Sequence, residues 1–118
     1  MPEHAFVDCY SLKSIELPEG ITQIGVDCFV SDTSLVEISL PQSLRRIDRG
    51  VFFNCKSLQE ITLPSNLETI GEYCFYGCTS LTDVYCQSAT PPIAVESFDR
   101  KDIRLHVPAG CEDAYRRN

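Results

Sequence analysis

SLQEITLPSNLETIGEYCFYGCT, residues 57–79, decides the fold, because SLKSIELPEGITQIGVDCFVSDT at 11–33 and SLVEISLPQSLRRIDRGVFFNCK at 34–56 carry their apolar residues in the same places. Phenylalanine marks the period: Phe6, Phe29, Phe52, Phe75 and Phe98 stand 23 residues apart. An internal period of roughly 20 to 50 residues marks a solenoid, in which each repeat buries its apolar face only against its neighbours. Leu12, Leu35, Leu58 and Leu81 open the units; Ile15, Ile38, Ile61 and Val84 follow, then Leu17, Leu40 and Leu63. The order apolar, polar, apolar at Ile15-Glu16-Leu17 is the alternation of a short strand with one buried face. Pro18, Pro41 and Pro64 lack an N–H for a ladder and end that strand at one point in every unit. One long amphipathic helix is excluded by the same prolines.

A second apolar pair follows at Ile21/Ile24, Leu44/Ile47 and Leu67/Ile70, then Gly25, Asp48 or Gly71, residue types that tolerate a tight change of direction. Phe75 and Cys78 are three apart, which suits a helical or 3₁₀ turn on the opposite side of the coil. The expected architecture is an α/β repeat solenoid, with short parallel strands on one side and short helical turns on the other.

The pattern L-x-x-I-x-L-P-x-x-[IL]-x-x-I-[GD]-x-x-[CV]-F-x-x-C-x-S resembles the BspA-type leucine-rich repeat. The resemblance covers residues 5 to about 115. It implies a right-handed leucine-rich-repeat superhelix and a protein of the cell surface or secreted class that mediates adhesion or protein binding.

The division expected is a single domain over 1–118: a partial N-terminal repeat at 1–10, full repeats at 11–33, 34–56 and 57–79, and a degenerate terminal repeat with a C-terminal cap at 80–118. Within the last stretch SATPPIAVESF replaces the Gly/Asp turn, and Val107-Pro108 fall 21 residues after Cys86-Gln87. The TPP tract, the VP-x-G motif and Tyr115 look like the way arrays of this family finish. Before Leu12 stand only Phe6 and Cys9 of the preceding repeat. Either the chain is a truncated piece of a longer array, the favoured expectation, or another molecule covers its N-terminal rung; a bare rung would associate end to end, most simply as a homodimer.

A net charge of −7, from 17 acids and 10 bases, argues against nucleic acid, whose binding needs a basic face. No stretch reaches the about 18 apolar residues of a membrane span, and MPEHAFVDCYSL lacks the basic and apolar regions of a signal peptide.

Of seven cysteines, Cys9, Cys55 and Cys78 share one column of the period and Cys28 and Cys74 another, which reads as core thiols. Rungs stack about 4.8 Å apart. Cys28 and Cys74, two rungs apart, therefore lie near ~9.6 Å, beyond the disulfide limit of about 7 Å. Cys55 and Cys78, one rung apart, retain that option.

Exposed strand positions stack into columns. One reads Ser14, Glu37, Glu60, Asp83, Arg104; its neighbour reads Glu16, Ser39, Thr62, Tyr85, His106; a third begins Lys13, Val36, Gln59, Thr82. These first two columns are the candidate binding face for a protein or peptide partner. Adjacent carboxylates at rung spacing repel by only about 0.9 kcal/mol in water-like screening. Glu37, Glu60 and Asp83, with Glu16 and Tyr85 alongside, would form an acidic patch for a basic segment or a hard cation; the bland alternative is a solvated face of an acidic protein. Tyr73, Tyr76 and Phe53 are further candidate anchors. No cofactor is implied. A Cys86/His106 nucleophile pair and a Cys74/Cys78/Cys86/His106 zinc set are the only routes to chemistry, and both are weak because the repeat accounts for those cysteines as core. The chain thus reads as a non-enzymatic interaction module, with a structural spacer or stalk as the alternative.

Overall fold

A computed structural model describes residues 13–88, 90–94, 96–98 and 103–111. Nine short strands lie in chain order: β1 Ser14–Glu16, β2 Gln23–Ile24, β3 Glu37–Ser39, β4 Arg46–Ile47, β5 Glu60–Leu63, β6 Thr69–Ile70, β7 Asp83–Cys86, β8 Ile93–Ala94 and β9 Arg104–His106. All pair in parallel with their counterpart one repeat away. One sheet runs β2-β4-β6-β8; the strands before the prolines form two more, β1-β3 and β5-β7-β9. The chain is therefore a parallel-strand solenoid of about four described turns.

Its core is the repeat made physical. Phe29, Phe52, Phe75 and Phe98 stack with ring centroids 5.7, 5.4 and 4.8 Å apart and near-parallel planes. Around this column pack Ile24, Ile47 and Ile70, Leu35, Leu58 and Leu81, and Ile38, Ile61 and Val84, all buried. The prolines also begin turns: the N–H groups of Leu44 and Leu67 donate to the carbonyls of Pro41 and Pro64 at 3.1 Å. Beyond them a polar ladder joins successive turns. The Glu19 carboxylate accepts the backbone N–H groups of Gln42 and Ser43, and Asn66 donates to the Gln42 carbonyl.

The helical turns expected opposite the strands are corrected by the structure, which has no helix among the described residues. Residues 26–31, 49–54 and 72–77 are runs of turns in which successive N–H groups alternate between two destinations. Cys28, Val30 and Asp32 donate three residues back, to Gly25, Asp27 and Phe29; Asp27, Phe29 and Ser31 donate to the next rung, at Arg49, Val51 and Phe53. Left-handed backbone brackets each run, at Asp27, Gly50 and Tyr73 on one side and Ser31, Asn54 and Gly77 on the other, with φ between 57° and 79°. A continuous helix would turn all of these donors inward and leave the rungs unbonded on this side. Alternation satisfies both.

The cysteines Cys28, Cys55, Cys74, Cys78 and Cys86 are buried thiols outside any disulfide. Cys55 and Cys78 each donate to a carbonyl of the preceding turn, Phe29 at 3.2 Å and Phe52 at 3.1 Å, rather than bridging each other. Burial drives the Cys55 and Cys74 thiols far above their ordinary titration range, so both stay protonated. Phe6, Cys9 and Leu12, on which the bare-end expectation rests, and Tyr115 with residues 112–118 of the expected cap lie outside the described residues.

Candidate functional site

The strand registers build the expected columns in two stretches, one on each side of the step from β3 to β5. Ser14 faces Glu37 and Glu16 faces Ser39 across β1 and β3. Glu60, Asp83 and Arg104 stand in line across β5, β7 and β9, beside Thr62, Tyr85 and His106. The shortened last repeat keeps this alignment, with Arg104 21 residues after Asp83. The third column is drawn by backbone hydrogen bonds, Val36 to Lys13, Gln59 to Val36 and Thr82 to Gln59.

Two features alter the expected acidic patch. Between β3 and β5 the ladder is interrupted, so Glu37 and Glu60 flank a joint rather than sharing one sheet. Asp83 is also engaged at every side: His106 Nε2 lies 2.8 Å and Arg104 Nε 3.0 Å from Oδ1, and Arg104 and the Thr82 hydroxyl bond Oδ2 at 3.1 and 2.8 Å. His106, Thr82 and Arg104 together hold the Asp83 carboxyl down at about 2. The His106 ring also stacks on Tyr85, centroids 4.4 Å apart. Chemically, Asp83, Arg104 and His106 form a closed charge network at the C-terminal end of the face. Glu16 and Glu37 remain as exposed carboxylates lining a shallow groove of about 320 Å³ between β1 and β3, and Glu60 is exposed on β5.

Cys86, the nucleophile of the weighed pair, is buried on the core side of β7, while the His106 ring is taken up by Asp83 and Tyr85. The described residues hold no cluster of three or more metal-ligating side chains, and no helix among them is long and apolar enough to cross a membrane. Tyr73 and Tyr76 meet edge to face, centroids 5.0 Å apart.

Sequence reasoning missed Ile93. The 23-residue period puts it in the core column of Ile24, Ile47 and Ile70, yet it is 65% exposed. The signal that would have found it is the TPP tract just before it, where an extra residue shifts the strand that follows.

Stacked short parallel strands with a single phenylalanine spine and a leucine at the head of each turn define a leucine-rich-repeat solenoid. Residues 1–110 match the BspA type Leucine rich repeat region in six copies, and the chain belongs to that family, whose members are in general protein-interaction repeats. Among solved structures it is similar to the T. pallidum leucine rich repeat protein TpLRR, at 31% identity and a TM-score of 0.70 over 95% of this chain and 46% of that one. A leucine-rich repeat protein from Eubacterium ventriosum ATCC 27560 shares the fold at 18% identity and a TM-score of 0.67, over 83% of this chain and 33% of that one. The chain thus spans less than half the length of either. A search of curated proteins returned no match.

Proposed function

We propose that this chain is a non-enzymatic interaction module that receives a basic protein segment on the exposed side of its strands, at Ser14, Glu16, Glu37, Ser39, Glu60 and Thr62. The supporting observation is the split character of the strand columns. Asp83 is paired with Arg104 and hydrogen-bonded to His106, while among the described residues Glu37 and Glu60 stand exposed in the same column without such a network. Exposed carboxylates on neighbouring rungs, about 4.8 Å apart, make one negative surface that complements a segment rich in Lys or Arg.

Fluorescence anisotropy of a labelled, blocked hexalysine checks this. Wild type is expected to bind in a salt-sensitive manner, and a Glu37→Lys/Glu60→Lys variant to lose that binding. Equal binding by both proteins removes the assignment and favours the spacer role.

A further inference from the structure

The exposure of Ile93 has a specific cause. Gln23 pairs with Arg46 and Arg46 with Thr69, each 23 residues on. Then Thr69 pairs with Ile93 and Ile70 with Ala94, one residue further along. Side chains alternate across a strand, so a slip of one residue exchanges the two faces. Ala94 takes the core position that Ile24, Ile47 and Ile70 hold below it, and Ile93 is turned out into a column otherwise made of Gln23, Arg46 and Thr69. The register recovers by Phe98, which stacks on Phe75 as the period requires.

Next to Ile93 runs an open groove of about 310 Å³, bordered by Asp48, Arg49, Gly71 and Glu72. One residue beyond Glu72, Tyr73 is 39% exposed on left-handed backbone at φ 60°. The register slip therefore brings Ile93 onto the wall of a groove that Ile47 and Ile70 also line, and Tyr73 directly follows the wall residue Glu72 in the chain. Isolated exposed apolar residues need no explanation, but clustered ones mark interaction sites.

We propose that this groove, along the β4-β6-β8 edge and distinct from the strand columns above, docks an extended peptide carrying an apolar side chain beside a Lys or Arg. Ile93 supplies the apolar contact, with Tyr73 next in the chain to the wall residue Glu72. Of the charged groups bordering the groove, Asp48 and Glu72 outnumber Arg49, and Glu96 is exposed in the following turn, where its carbonyl accepts the Tyr73 N–H at 2.8 Å. The site and the whole chain, at −7, thus favour a cationic partner.

The test is an amide chemical-shift map of isotope-labelled protein titrated with blocked hexapeptides of alternating Leu-Arg, Leu-Glu or Ser-Arg sequence. The Leu-Arg peptide is expected to give saturable shifts at Thr69, Gly71 and Glu72, weakened about tenfold or more by Ile93→Thr and by Tyr73→Gly, and unchanged by Glu60→Lys. Absence of saturable shifts overturns the proposal, as does an equal response to the Leu-Glu or Ser-Arg peptide. Shifts confined to β3 and β5 overturn it too, while leaving the strand-face reading standing.

Discussion

Tyr73 stands in a backbone column whose other members are Asp27, Gly50 and Glu96, all with positive φ. Left-handed backbone costs an L-residue about 1–2 kcal/mol, whereas the edge-to-face contact with Tyr76 returns about 0.5–1.5 kcal/mol. Tyr73→Gly should therefore be nearly neutral in thermal unfolding, and a loss above about 2 kcal/mol would contradict this account. Gly71 is the opposite case. Its φ is ordinary, but an added Cβ would run into the backbone of the turn below, 2.5 Å from the Asp48 carbonyl carbon and 2.7 Å from Arg49 Cα. Backbone cannot swing aside as a side chain can. Gly71→Ala is expected to lower stability by about 1–3 kcal/mol, read as a lower urea midpoint at unchanged slope.

Among the elements, β9 is the strand most dependent on electrostatics, because all three of its residues are exposed and Asp83 ties two of them to β7. The Asp83 carboxyl titrates at about 2 in the folded chain, below its ordinary 3.8. A lowered folded-state value means that the stabilisation is complete above pH 3.8 and is lost as pH falls from there toward 2. Asp83→Asn should remove that pH-dependent component from acid unfolding; an identical acid limb in variant and wild type would show that the network contributes nothing. The interrupted ladder between β3 and β5 is a second weak joint. Like charges opposite one another on neighbouring strands destabilise pairing, and Glu37 and Glu60 stand across this gap. Glu60→Thr should raise hydrogen-exchange protection at the amide of Gln59, which donates to Val36 across the joint at 3.2 Å. Unchanged protection would mean that charge is not what parts these strands.

At the scale of the molecule, stability runs along the stack of turns rather than into a central core. Phe52 is sandwiched between Phe29 and Phe75 and wholly buried, so Phe52→Ala is expected to cost about 3–5 kcal/mol. Phe98→Ala, at a partly buried ring of the last described turn, should cost clearly less, and denaturant melts of the two variants check the order. The turns, their strands, the phenylalanine spine, the cysteines as core and the exposed columns were all legible in the sequence, because a residue recurring every 23 positions must meet its own copy in the next turn. Three things were not. The bends lack a helix because rung-to-rung hydrogen bonding claims every second N–H, a demand that arises only once turns are stacked. Asp83 is masked by Arg104 and His106 because the last turn is shortened just enough to bring both onto it. Ile93 faces outward because ladder pairing, not the count of residues, sets which side of a strand is buried. Periodicity by itself determined that this is a solenoid and which residues make up most of its interior, and the repeated motif gave its resemblance to the leucine-rich-repeat family. Only the tertiary structure decided which of the remaining residues are free to meet a partner, since charge pairing and register are properties of neighbouring turns and not of any one of them.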